Sequence, residues 1–233
     1  DSAICTKRVK NVSTQNEEPE KIMVEEQEHD YSKFGIIKVL HQQSGQIEEL
    51  QIDKYLYGVV SAEMPANYEI EALKAQAVAA RTYTIYQIIN NGEKHGEADI
   101  CDDSTCCQAW VSKEDRMEKW KEEERENNWN KIVAAVDSTA GKIITYNNEV
   151  INAFFHSNSG GKTELASNVW IGGKDLPYLQ SVETSGEDGY SQYSSEVTIP
   201  KTDLIEKLKK EYPEIHINFE DSESIKIIEH TRE

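Results

Sequence analysis

The sequence predicts an α+β protein, a central alanine-rich helix with short antiparallel strands, in two lobes around a cleft. Three observations carry this. A run with neither Pro nor Gly extends from Ala66 to Asn91 and is crowded with alanine. Short alternating runs stand on either side of it, each pair joined by turn-forming residues. The first 33 residues are polar and charged, with too few apolar side chains to build a core.

Residues 1–33 therefore read as a leader or tether, 34–190 as the core domain, and 191–233 as a smaller C-terminal α/β lobe. Phe34 to Leu40 and Gln46 to Ile52 alternate apolar and polar residues and form a predicted hairpin over Gln43-Ser44-Gly45. Asp53 is positioned to cap a short helix, LYGVVSAE, that ends on Glu63. Asn67 is the expected N-cap of the main helix, with Glu69 and Glu71 in its first turn.

On that helix Leu73, Ala80 and Thr84 form one ridge, and Ala72, Ala75, Ala79 and Tyr83 form another. Small or apolar residues thus cover most of the circumference, as on a helix packed on nearly all sides. Lys74 and Arg81, seven residues apart, project from one side of it. A long cation on a packed helix either closes a structural ion pair, snorkels to water, or lines a cleft floor beside Glu63.

Beyond Asn90-Asn91-Gly92 comes the loop HGEADICDDSTCCQAW, then a charged segment, 113–127, read as a solvated helix. Trp129 to Thr139 predicts another helix, capped by Gly141. Lys142 to Tyr146 and Val150 to Phe155 predict a second hairpin over Asn147-Asn148. The loop HSNSGG follows at 156–161, and 192–233 read as strand, helix and strand, the helix starting at Pro200-Lys201-Thr202-Asp203.

Composition limits the partners. The 233 residues hold 25 Lys and Arg against 43 Asp and Glu, a formal net charge of −18. Such a field repels phosphate, which argues against nucleic acid and anionic membrane surfaces. An anionic ligand would need local cations, and Lys74 and Arg81 are the candidates. No apolar run approaches the roughly 20 residues of a transmembrane helix, and no signal-peptide pattern is present.

His95, Cys101 and Cys107 stand at intervals of six. Imidazole and thiolate suit zinc, and three protein ligands leave a fourth tetrahedral position open. A Cys101–Cys107 disulfide is the alternative, and adjacent Cys106 and Cys107 compete for one ligand place. The HSNSGGKTE stretch offers His156, Ser157, Ser159, Thr163 and the N–H groups around Gly160-Gly161, either as a functional loop or as a tight turn that needs glycine. Trp110, Trp120, Trp129 and Trp170 suit sugar stacking or burial.

The string SAEMPANYEIEALKAQAVAARTY, then DIC with CCQAW at 99–110, AFFHSNSGGKTE with VW at 153–170, and PYLQSVE at 177–183 occur in this order. Together they resemble the sporulation protein D / amidase-enhancer family over about residues 34–185. The resemblance implies a peptidoglycan lytic transglycosylase that cuts between N-acetylmuramic acid and N-acetylglucosamine and leaves 1,6-anhydro ends, in wall remodelling during sporulation and engulfment. It makes 34–190 the catalytic domain and Glu63 the acid. It places the loop of His156, Ser157, Ser159 and Thr163 at the cleft for substrate contact, and Lys74, Gln76 and Arg81 are expected to contact substrate with it. It also favours zinc on His95, Cys101 and Cys107.

The partners it implies are glycan strands, a cell-wall amidase and membrane engulfment proteins. It implies an extracytoplasmic protein, anchored by an N-terminal membrane segment outside this chain, with further residues beyond Glu233. Two other functions fit the same residues: a zinc-dependent amidase acting on stem peptides, and a non-catalytic module that binds wall and enhances an amidase.

Overall fold

The structure, a computed structural model, describes residues 34–92, 94–169, 176–189 and 196–218. It is a mixed α+β fold in two compact units, divided between Phe155 and His156. The predicted leader, Cys5 and Trp170 lie outside the described residues.

The first unit begins with the expected hairpin, β1 (Ile36–His41) paired antiparallel with β2 (Gln46–Gln51). Alternation decides its inward face, since Ile37 and Val39 are buried while Ile36 and Lys38 face water. A two-residue strand β3 (Ile100–Cys101) adds to β1 in parallel, so the sheet order is β2-β1-β3. Cys101 is thereby fixed in the sheet.

Helix α1 (Ile52–Glu63) follows β2 directly, and α2 (Ile70–Asn91) carries the alanine-rich run. Two expected caps are corrected. Asp53 lies in the first turn of α1, whose N-cap is Gln51, and pairs with Arg81 instead. The N-cap of α2 is Glu69, not Asn67, because Pro65 to Tyr68 close a turn first, Tyr68 N–H donating to the Pro65 carbonyl at 3.1 Å. Leu73, Ala77 and Ala80 of α2 are completely buried against Tyr55, Leu56, Val59 and Val60 of α1. Small residues permit that close approach.

The charged segment forms a short α3 (Lys113–Glu118), capped by Ser112 Oγ, which accepts from Asp115 N–H at 3.0 Å, and then a 3₁₀ turn (Glu122–Glu124). It is a broken helix, exposed as expected for its charge. Helix α4 (Arg125–Asp137) follows and buries Trp129, Ile132, Ala135 and Val136. The second hairpin is short, β4 (Thr145–Tyr146) with β5 (Glu149–Val150). Asn147 and Asn148 both have positive φ, 50° and 66°, as a two-residue turn of this hand demands.

The second unit contains α5 (Ala166–Val169), a 3₁₀ turn at Glu187–Gly189 and α6 (Lys201–Glu211), which starts after Pro200 as predicted. The strands expected beside α6 are not formed within 196–200 or 212–218. Val197 and Ile199 there are exposed rather than packed on a ladder.

Candidate active site and metal-binding group

Glu63 is the last residue of α1, and its neighbour Met64 leaves the helix in extended conformation. That break turns the chain and leaves the Glu63 side chain half-buried at the helix end. Its Oε1 accepts the N–H of Ala109 at 2.7 Å. The loop that supplies this N–H is the cysteine-bearing one, so the carboxylate and the thiols are built into one piece of structure.

Ligand atoms of His95, Cys101, Cys106 and Cys107 all lie within 4.8 Å of one another. His95 Nε2 is 3.2 Å from Cys107 Sγ and 3.9 Å from Cys106 Sγ. Tetrahedral zinc with its usual bond lengths separates its ligand atoms by about 3.5 to 3.8 Å, so the donor set fits such an ion in both chemistry and spacing. The three cysteines are free thiols. Burial and the nearby Lys94 hold the His95 imidazole below its ordinary value, which favours the neutral form that ligates. Burial pushes the Cys107 thiol up to about 12, and metal binding would have to reverse that. Both cysteines of the adjacent pair are within reach, so the spacing of six residues understated the group by one donor.

The cations of α2 part company. Lys74 is partly exposed and pairs with Glu71 at 2.7 Å. Arg81 is 2% exposed, with Nη2 on Asp53 at 2.9 Å and Nη1 on the Thr139 carbonyl at 2.8 Å, and further bonds to the Val136 and Lys142 carbonyls. Desolvation lowers its pKa, and Asp53 offsets part of that. Arg81 thus takes the structural ion pair of the readings open to it, tying α2 to α1 and to the end of α4. Gln76 is buried, and its Nε2 has no hydrogen-bond partner among the described residues.

In the second unit Gly160 and Gly161 have φ of 72° and 98°, and Gly160 N–H donates to Asn158 Oδ1 at 2.8 Å, so this loop does need its glycines. Glu187 receives Gly161 N–H at 2.9 Å, Ser159 N–H at 3.1 Å and Ser159 Oγ–H at 2.9 Å. Thr163 Oγ1 accepts Val182 N–H at 2.9 Å. His156 and Ser157 are exposed. The tryptophans of the first unit pack rather than stand free: Trp110 and Trp120 join the core, Lys113 lies over Trp129, and Arg116 over Trp120.

Sequence reasoning missed Gln108, the Ala109 N–H and Glu187. A backbone donor leaves no mark in a sequence, and Glu187 is 26 residues beyond the glycine it holds. The one signal for Gln108 was its place between a candidate ligand and the apolar Ala109-Trp110.

Residues 41–146 match the model of the SpoIID family, stage II sporulation protein. That span holds Glu63, Arg81 and the whole His/Cys group, and stops short of the loop at 156–161. The chain is 37% identical over 163 residues to stage II sporulation protein D of Bacillus subtilis (strain 168), covering 70% of this chain and 47% of that protein. It is 35% identical over 163 residues to stage II sporulation protein D of Bacillus amyloliquefaciens, covering 70% and 46%. It is also 39% identical over 124 residues to an amidase enhancer of Bacillus subtilis (strain 168), covering 53% of this chain and 14% of that protein. The chain spans about half the length of the sporulation relatives it matches. The family match encloses the carboxylate and the thiols: residues 41–146 of this chain carry the domain of the stage II sporulation protein (SpoIID) family.

Proposed function

We propose that this protein is a peptidoglycan lytic transglycosylase acting in wall remodelling during sporulation and engulfment. The observation that carries the reading is Glu63, a half-buried carboxylate at a helix end, held by one backbone N–H inside the segment that matches the family. Glu63 donates its proton to the glycosidic oxygen between N-acetylmuramic acid and N-acetylglucosamine as the C1–O bond breaks. The same carboxylate then takes the proton of the muramic C6 hydroxyl as that oxygen bonds to C1. A hydrolase needs a second carboxylate to activate water. Internal attack needs none, so one carboxylate serves in both steps.

His95, Cys101 and Cys107 would hold zinc, with Cys106 able to fill the fourth position. A fourth protein ligand closes the coordination sphere, so the ion's contribution is to shape the loop. Lys74, Gln76, His156, Ser157, Ser159 and Thr163 are the proposed substrate contacts. Arg81, with its guanidinium enclosed, holds α2 in place. The similarity to an amidase enhancer supports a partner amidase in the wall, and engulfment proteins of the membrane complete the proposed partners. The protein would work outside the cytoplasm, tethered to the membrane. No helix among the described residues is long and apolar enough to cross one.

Two rivals rest on specific observations. Three of the His/Cys donors, with the fourth position left to water, would suit a zinc-dependent amidase, and the enhancer similarity fits a module without activity of its own. Digestion of glycan strands by the purified chain in ¹⁸O-water separates all three. Unlabelled 1,6-anhydro ends are expected. Labelled reducing ends would mean hydrolysis, labelled carboxylates on released stem peptides would mean an amidase, and no cleavage would leave the enhancer.

A further inference from the structure

Cys107, Gln108 and Ala109 are consecutive, and each is tied to a different part of the first unit. Cys107 Sγ belongs to the donor group, 3.2 Å from His95 Nε2. Gln108 is 2% exposed, and its Nε2 donates to Thr84 Oγ1 on α2 at 2.8 Å and to Tyr55 Oη on α1 at 3.2 Å. Ala109 N–H holds Glu63 at 2.7 Å. The chain then crosses α1 at Gly58, where an added Cβ would fall 2.7 Å from the Val111 carbonyl. From Cys107 to Ala109 the backbone spans at most about 7 Å and has no spare residue to absorb a shift. A displacement of about 1 Å at Cys107 is therefore passed to the N–H that orients the carboxylate.

We propose that Gln108 is a positioning residue that couples the metal-binding group to Glu63. A metal ion on His95, Cys101 and Cys107 would fix one end of this segment, the Gln108 amide clamps its middle to both helices, and Ala109 N–H holds Glu63 in one orientation. Metal at this site then controls the carboxylate by geometry alone, without touching substrate. Thiols and imidazole in mutual contact make only weak hydrogen bonds, so the clamp and the ion are both needed to keep the N–H aimed. The coupling rests on the reading of Glu63 as the acid only for its kinetic consequence.

The test is amide hydrogen exchange at Ala109, read by NMR on the full chain loaded with zinc, on the same chain after chelation, and on zinc-loaded Gln108→Leu. Chelation is expected to speed Ala109 exchange by about tenfold or more, with the amides of Ala80 and Thr84 in α2 unchanged. Gln108→Leu should keep one zinc per chain, show the same faster exchange, and lower kcat by roughly 10- to 100-fold at unchanged KM, the range set by an ångström-scale misplacement. Ala109 exchange that ignores both zinc removal and the substitution would overturn the coupling, as would a chain that takes up no zinc. Should Gln108→Leu fail to fold, the comparison with and without zinc in the unaltered chain decides alone. Faster exchange with unchanged kcat would uphold the coupling and sink the role of Glu63, so the two readings fail separately.

Discussion

Both units fasten a loop to a carboxylate through backbone N–H groups, and they do it in opposite surroundings. In the first, Ala109 N–H meets Glu63 beside Gln108, Tyr55 and Thr84, all three buried. In the second, Glu187 gathers the N–H groups of Ser159 and Gly161 in a loop whose His156 and Ser157 face water. In one unit a loop holds a carboxylate, while in the other a carboxylate holds a loop together. The buried arrangement costs adaptability and gains a fixed direction, which suits the proton delivery proposed for Glu63. The exposed arrangement leaves His156 and Ser157 facing water, as the substrate contacts proposed for them require.

The largest expected contrast comes from the buried lattice itself. Arg81→Met removes the ion pair with Asp53 and strips the carbonyls of Thr139, Val136 and Lys142 of their donor. A loss of about 3 kcal/mol is expected, read as earlier urea unfolding of the tryptophan signal of the first unit, with exchange at the amides of 159 and 161 unchanged. A loss under about 1 kcal/mol would mean that Arg81 is not the clamp described. Gly58→Ala should cost about 1 to 3 kcal/mol, because its Cβ meets the Val111 carbonyl and the Trp110 ring. Neutral behaviour there would show that the segment over α1 has room to move.

The smallest effect belongs to the second unit. The Gly161 and Ser159 donors hold the Glu187 carboxyl near pKa 2, below its unfolded value near 4.5. A depressed carboxylate contributes stability above the unfolded value and loses it as pH falls from about 4.5 toward 2. Because Glu187 is only partly covered and its partners lie in one loop, the effect is local: the amide signals of 159 and 161 should shift through that window, and Glu187→Gln should abolish the shift. A persistent shift in that variant would assign the titration to another group.

The elements with a local cause were legible in the sequence. Alternation gave β1 its inward face, Asn147-Asn148 set the second hairpin, and Pro200 opened α6. Ends of elements were less so: Pro65 delays α2 by a turn that periodicity does not register, and the charged segment breaks after Glu118. In the site, residue type made His95 and the cysteines a candidate group, the resemblance chose His95, Cys101 and Cys107 among them, and a cation on a packed helix was expected to find a partner. Which partner was not readable, since Asp53 is 28 residues from Arg81. Nor was the N–H on Glu63, because Ala109 offers only its backbone.

The most direct test of the account is Glu63→Gln. The amide side chain keeps a carbonyl oxygen for Ala109 N–H, so the thermal transition should stay where it is, while the proton donor is lost. Release of 1,6-anhydro ends from glycan strands should fall on the order of 10² to 10⁴ in rate. A variant that melts with the parent and retains more than about half of its activity would show that Glu63 is not the acid.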